Sequence, residues 1–400
     1  MSAPRRLRIA YVVDTFDGRK NGGTVSAVRF VEALRARHDV TVVTTGAGAD
    51  GRVVLPSFYP PFFARVMREM GFVFAVPRRS TLEEVFRRSD VVHVQFPFWL
   101  GMRAAAVARR LGTPLVAAFH VQPENMFLNI GIRSSALEEW TYRLFISKLF
   151  SRADALVCPS AFALGELRRR GVTVPAEVVS NGIAPRFRPG PAERSPHHEG
   201  KRLVLAVGRL AKEKRHDVVI EGVRRSRHAR RIQLVITGRG PEEERIRRAG
   251  ATLPVPAEVL FASDDELLRL YRTADVLVHA SEVELEGMAV LEALGCGTPA
   301  LVADAPRSAA RQLALAPELL FRSGDPADLA RRLDAVLEDP ARLAAARARA
   351  VEVAAGLSVE ASVRRLEALY LRVVTAKAAG LPAEARGAPA ARSTAPPGGR

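Results

Sequence analysis

Residues 276–304 read VLVHASEVELEGMAVLEALGCGTPALVAD, and this stretch decides the fold. Val276–His279 is a short apolar run with the length of a strand. Ala289–Gly295 reads as a helix, and Pro299–Ala303 is a second apolar run. Neither strand alternates polar with apolar residues, so both are expected to be buried on both faces, as parallel strands covered by helices are.

The same alternation extends through both halves of the chain. Upstream, the runs Leu7–Val13, Val40–Thr44, Asp90–Val94, Pro114–Phe119, Ala155–Cys158 and Ala176–Ser180 read as strands. Thr24–Arg37, Met102–Leu111 and Ala161–Arg170 read as helices among them. At Ala184–Lys201 the composition turns to Pro, Gly and charge, which reads as a linker. The alternation restarts with strands at Arg202–Val207, Gln233–Thr237 and Glu258–Phe261, and helices at Asp217–Val223, Glu242–Arg248 and Asp265–Thr273. Asp325–Tyr370 is Ala-, Leu- and Arg-rich and reads as helical. The expectation is an α/β protein of two doubly wound, Rossmann-like domains facing across a cleft. Its divisions are 1–186 for the N-terminal domain, 187–200 for the linker and 201–357 for the C-terminal domain. A helix at 358–379 is expected to pack back on the first domain, before a disordered tail at 380–400.

Composition narrows the function classes. The 400 residues are 48% hydrophobic and 26% charged, the make-up of a globular protein of two domains. No uncharged apolar run is long enough to cross a membrane, and the N-terminus lacks the apolar core of a signal peptide, so a cytoplasmic protein is expected. The two cysteines, Cys158 and Cys296, are too few for a disulfide framework or a zinc site. The net charge of +17 comes mainly from 54 arginines, and the first 190 residues carry +12 of it. Such a field attracts anionic small molecules, anionic lipid or nucleic acid. The low aromatic content and the absence of an RNA- or zinc-finger-type motif argue against nucleic acid.

The residues able to carry chemistry lie at strand ends. Glu284 sits in the loop after Val276–His279, and Glu292 lies eight residues later inside the helix. Between them, Gly287 precedes the helix and lets a ligand approach its N-terminus, where backbone N–H groups are free and the helix dipole is positive. Two carboxylates flanking such a terminus can hold a polyol, a diphosphate and a ribose in line; taken alone, they can equally be capping acids. Arg209 and Lys214 follow the strand Arg202–Val207. Gly238 follows Gln233–Thr237, Gly22 and Gly23 open the first helix, and His120 ends the strand Pro114–Phe119. Each of these has a plain structural reading as a solvated turn, a tight turn or a loop hydrogen-bonder.

Together they resemble the retaining glycosyltransferases of family 4, which have the GT-B fold. Glu284 and Glu292 match the family's E-x7-E motif, and GRLAKEK at 208–214 is similar to its phosphate clamp. The resemblance implies that Glu284 contacts donor-sugar hydroxyls, Glu292 the nucleotide ribose, and Arg209 and Lys214 the diphosphate. Gly238, Gly287 and Met288 are implied on the donor side, Gly22 and Gly23 beside the diphosphate and acceptor, and His120 beside the transferred sugar. The family often carries an aromatic residue two positions after the first glutamate, where this chain has Glu286.

The function implied is transfer of a hexose, with retention, from a nucleotide diphosphate sugar, a UDP-sugar being favoured, to an acceptor hydroxyl. No residue is an evident positioned nucleophile, which favours front-face attack over double displacement. No D-x-D triplet occurs, so arginine, lysine and helix termini are left to neutralise the phosphates without a metal. Gln122–Asn125 (QPEN) resembles a subset with lipid acceptors. Phe62, Phe63, Val66, Met67 and Met70, at helical spacing among Arg65, Arg68, Arg78 and Arg79, read as a basic amphipathic helix suited to an anionic membrane. A diacylglycerol-type acceptor and peripheral membrane binding are the expectation; the competing reading is a helix packed on its own domain. A nucleotide-sugar epimerase and a non-catalytic nucleotide-sugar-binding protein are the rival functions. The sugar, the base and the oligomeric state are not encoded in these motifs.

Overall fold

A computed structural model describes residues 5–17, 22–48, 51–61, 64–69 and 71–381. In the first half the chain runs β1 (Arg8–Val12), α1 (Gly22–Arg35), β2 (Asp39–Thr44), β3 (Arg52–Val54) and β4 (Ser57–Phe58). It continues through α2 (Ala64–Glu69), β5 (Phe74–Ala75), α3 (Arg79–Arg87), β6 (Val91–Val94), α4 (Trp99–Leu111) and β7 (Leu115–Ala118). Then come α5 (Pro123–Asn129), α6 (Ser135–Lys148), β8 (Ala155–Cys158), α7 (Ala161–Arg169) and β9 (Ala176–Val178). Seven of these strands form one sheet in the order β3-β2-β1-β6-β7-β8-β9. Every pair in it is parallel.

The second half repeats the plan. It runs β10 (Arg202–Val207), α8 (His216–Arg225), β11 (Ile232–Thr237), α9 (Glu243–Ala251), β12 (Glu258–Leu260), α10 (Asp264–Thr273) and β13 (Val276–His279). Next are β14 (Val283–Glu284), α11 (Met288–Gly295), β15 (Ala300–Asp304), β16 (Arg307–Ser308) and β17 (Leu320–Arg322). Three helices close the chain: α12 (Pro326–Glu338), α13 (Pro340–Ala355) and α14 (Val359–Ala378). Six strands form a second parallel sheet, β12-β11-β10-β13-β15-β17, and β14 pairs separately with β16. The fully buried strands VVHV, LVAA, ALVC and VLVH explain why helices must cover both faces of each sheet. One face of the first sheet is closed by α14, whose Val363, Leu366, Leu369, Tyr370 and Val373 are fully buried beside the side chains of α1.

Several expectations change. Of the Phe62–Met70 stretch, Ala64–Glu69 forms the short helix α2 between β4 and β5, which pair antiparallel, and Arg79 begins the separate helix α3. Met67 is buried at 8% exposure, so it packs inward and is not free to enter a membrane. Arg79 pairs with Glu83 one turn on, and Arg68 stacks over Tyr59. Phe62, Phe63 and Met70, the side chains of Arg65 and Val66, and the tail beyond Leu381 lie outside the described residues. The Pro- and Gly-rich segment 184–201 is anchored at several points: Phe187 and His198 are buried, and Arg194 bonds Asp275 at 3.0 Å. The helical reading of 325–370 resolves into three helices, because Asp339-Pro340 and Ser358 cap new starts. The edge strands β3 and β17 and the helices α3, α5 and α6 have no counterpart in the sequence reading; the strands are three residues each, too short to show a period.

Candidate active site

Strand order reverses between β1 and β6 in the first sheet and between β10 and β13 in the second. At such a point the loops leaving the carboxyl ends diverge to opposite faces and open a crevice that binds ligands. Most of the expected site residues lie in loops that leave the carboxyl ends of strands, while Glu292 lies inside α11. Gly22 and Gly23 start α1 after β1, and His120 follows β7. Arg209 and Lys214 follow β10, Gly238 follows β11, and Glu284 and Gly287 follow β13.

In the C-terminal domain the loops after β10 and β11 brace each other. Gly238 has φ 155°, and a Cβ there would stand 1.9 Å from the Gly208 carbonyl oxygen, so only glycine fits. Leu210 N–H donates to the Arg239 carbonyl at 2.9 Å, completing the brace under Arg209. The Arg209 guanidinium donates to Glu213 and to Asn129 Oδ1 at the end of α5. Lys214 donates to Glu284 Oε1, and His279 Nε2 lies 3.4 Å from the same oxygen. Burial would raise the Glu284 pKa, but Lys214 and His279 outweigh it and hold the carboxyl down at about 2. Glu284 is therefore ionised and purely a hydrogen-bond acceptor.

Gly287 has φ 108° and opens α11, where a side chain would press within 3.0 Å of Ala310. Met288, the first residue of α11, places its sulfur 3.0 Å from where a Cβ on Gly22 would stand, so the two glycine-bearing ends meet. Glu292 receives Arg29 Nη2 at 2.8 Å on one oxygen and the Tyr271 hydroxyl at 3.2 Å on the other. Burial pushes its pKa up, and Arg29 opposes the shift.

On the facing domain, burial lowers the His120 pKa to about 4, so the imidazole is neutral, and its Nε2 is buried without a hydrogen-bond partner. Behind it a buried polar chain ties the start of α1 to α14. The Tyr370 hydroxyl meets His93 Nδ1 at 2.8 Å, and His93 Nε2 lies 3.3 Å from Gln95 Oε1. Tyr11 donates to that same oxygen at 2.7 Å, and Gln95 Nε2 donates to the Gly23 carbonyl at 2.9 Å. His93, whose pKa burial lowers to about 3, is neutral and works as one link in this chain.

Contacts that the sequence reading did not pair join the two domains here. Arg29 and Asn129 are described above; Ser160 Oγ donates to the Leu285 carbonyl at 2.6 Å, and Gln122 Nε2 to the Arg307 carbonyl at 3.2 Å. Asn181 donates from its backbone N at 3.0 Å and its side-chain amide at 2.6 Å to Glu286 Oε2. These pairs span 80 to 263 residues, so no local spacing signals them. Among the described residues no group of three or more His, Cys, Asp or Glu side chains could hold a metal ion.

Comparison with known proteins decides the family. Residues 191–353 match the family described as Glycosyl transferases group 1, and residues 20–187 match Glycosyltransferase Family 4. A GDP-mannose-dependent alpha-mannosyltransferase of Mycobacterium tuberculosis is 30% identical over 75% of this chain and 79% of its own length. This chain belongs to glycosyltransferase family 4. Among other relatives of this family 4 glycosyltransferase, an alpha-monoglucosyldiacylglycerol synthase of Streptococcus pneumoniae is 24% identical over 74% of this chain and 70% of its own. Anabaena HepE in complex with UDP and glucose superposes with a TM-score of 0.69 at 15% identity, covering 91% of this chain and 99% of that one. Sucrose-phosphate synthase from Thermosynechococcus elongatus gives 0.69 at 19% identity, covering 93% and 100%. These likenesses place the glycosyltransferase in the GT-B fold. It is a hexosyltransferase using a nucleotide-sugar donor.

Proposed function

We propose that this enzyme transfers a hexose, with retention, from a UDP-sugar to the hydroxyl of a membrane lipid of the diacylglycerol type. The observation that carries the donor half is the pairing of Lys214 with an ionised Glu284 beside Arg209, at the carboxyl ends of the strands that flank the switch point. When the glycosidic C–O bond breaks, its electrons go to the leaving diphosphate. Arg209 and Lys214 stabilise that charge, and the helix α11 N-terminus adds its dipole. Glu284 accepts from sugar hydroxyls; both of its described contacts fall on Oε1. Glu292 takes the ribose. The acceptor oxygen attacks on the face the diphosphate leaves, and its proton passes to a phosphate oxygen. His120, neutral and unpartnered at Nε2, stands on the sugar side, and Gly22 and Gly23 let the diphosphate and acceptor approach α1.

Arg209→Ala tests the donor half. Loss of one preorganised donor costs about 2–4 kcal/mol of transition-state stabilisation, read as a fall in kcat/KM together with weaker UDP binding. A melting-temperature panel of UDP-, GDP- and ADP-sugars identifies the base, because only a bound nucleotide raises the transition. A shift with GDP-mannose alone replaces UDP in the proposal.

Support for the lipid half comes from an aromatic cluster, Phe72, Phe74, Phe96 and Phe98, beside the glycine-bearing loop. At its rim Phe58, paired with Phe74, and Trp99, next to Phe98, are 46% and 50% exposed. With the +12 balance of this half, such a rim suits an anionic lipid surface. Wild type should sediment with phosphatidylglycerol vesicles at low salt and release at high salt, while Phe58→Ser with Trp99→Ser should not sediment. A wild type that stays in the supernatant at low salt would mean a soluble acceptor.

A further inference from the structure

Gln122 lies two residues beyond His120, where the N-terminal domain touches the strand pair β14 and β16. Its side chain is buried at 3% exposure. The amide nitrogen donates to the backbone carbonyl of Arg307, and the amide oxygen, Oε1, is buried with no hydrogen-bond partner. The orientation of this amide follows from chemistry: only the NH2 group can face the Arg307 carbonyl, and a flipped amide would set oxygen against oxygen. What remains is an acceptor, oriented and desolvated. An unmet buried acceptor costs free energy, so its persistence points to a partner that arrives with a ligand.

The chemistry of that partner is narrow. Diphosphate oxygens are acceptors and gain nothing from a second acceptor, whereas a hydroxyl donates. The site of the contact narrows it further. Arg307 pairs with Val283 in register, and the next pair in the same two-stranded sheet is Ser308 with Glu284. Gln122 is thus hinged on the strand pair that carries Glu284, and the unpartnered His120 Nε2 belongs to the same loop.

We propose that Gln122 Oε1 accepts a hydrogen bond from one hydroxyl of the transferred hexose and makes the enzyme selective for donors that carry it. This rests on the reading of Glu284 as a donor-sugar ligand. Glu284 and Gln122 then approach the sugar from opposite domains, so one hydroxyl is read only when the two domains are in contact.

The experiment compares the parent nucleotide hexose with its monodeoxy series, each lacking a single hydroxyl, by kcat/KM. Wild type should lose roughly 10- to 100-fold with one member of the series beyond what sugar–Glu284 contacts explain, because an unpaired buried acceptor is left behind. Gln122→Met, similar in shape but without the oxygen, should lose activity on the parent donor and discriminate against that one analogue no further, keeping the wild-type pattern on the others. Gln122→Glu, which keeps an acceptor, should restore part of the preference. Should Gln122→Met rank every analogue as wild type does, or should no analogue be disfavoured by wild type, the proposal is overturned while transfer from the parent donor stands. Absence of any turnover of the parent donor by wild type instead removes the reading of the cleft itself. Melting curves of both variants show whether a loss reflects folding.

Discussion

Glu286 is the residue at which this chain departs from the usual family pattern, and the fold gives the departure a structural use. Buried between the motif loop and Asn181, its carboxyl receives two N–H donors on one oxygen. Burial dominates these bonds and pushes its pKa up from 4.5 to about 7. A carboxyl whose folded pKa is raised binds a proton that the unfolded chain has already released. Stability from this group is therefore full below pH 4.5, falls as pH rises towards 7, and is level above it. The swing is on the order of 2–3 kcal/mol, and Glu286→Gln, which keeps the acceptor for Asn181, should abolish it. Urea unfolding at pH 5 and pH 8 measures the difference; equal slopes in wild type and variant would mean that Glu286 titrates normally. Lys214 and Glu284 show the opposite case at the same scale: a buried pair in which each charge makes the other tolerable.

At the scale of elements, α14 is more than a lid on the first sheet. Through Tyr370, His93 and Gln95 it reaches the carbonyl of Gly23, and so holds the start of α1 at the cleft. Each link in this buried chain is satisfied, which makes its middle member expensive to remove. Gln95→Leu leaves the Gly23 carbonyl and the Tyr11 hydroxyl unpaired. It should cost about 1–3 kcal/mol of stability and lower kcat by loosening the loop. Tyr370→Phe removes a single bond and should cost about 1 kcal/mol. Chemical denaturation with steady-state kinetics on both variants is the check; an unchanged kcat in Gln95→Leu would confine the chain to a stabilising role. Another element-level feature is the brace of Gly238 against Gly208, which converts two weak glycine turns into one support for Arg209.

For the whole molecule, two parallel sheets present the carboxyl ends of their strands to a shared seam, and the cations proposed for the leaving diphosphate, Arg209 and Lys214, belong to the chain itself. Activity should therefore survive EDTA nearly unchanged. Loss on chelation, restored by magnesium or manganese, would mean that a metal takes part of the work assigned to Arg209 and Lys214. The seam is held by Arg29 on Glu292, Asn181 on Glu286, Ser160 on Leu285 and Gln122 on Arg307, each joining a side chain of one half to a group of the other.

The sequence by itself determined the alternation of buried strands and helices, the two Rossmann-like domains, and the E-x7-E and GRLAKEK segments. These are local facts: apolar runs of strand length and motif residues within five to eight positions of one another carry their own period and spacing. Only the tertiary structure decided which cation meets which carboxylate. It paired Arg29 with Glu292 across 263 residues, and it hung His93 between Tyr370 and Gln95. It also turned Met67 inward, where a helical spacing had suggested an outward face. Side chains brought together by sheet order and domain contact leave no periodic trace along the chain, because their separation is set by topology and not by the repeat of a helix or strand.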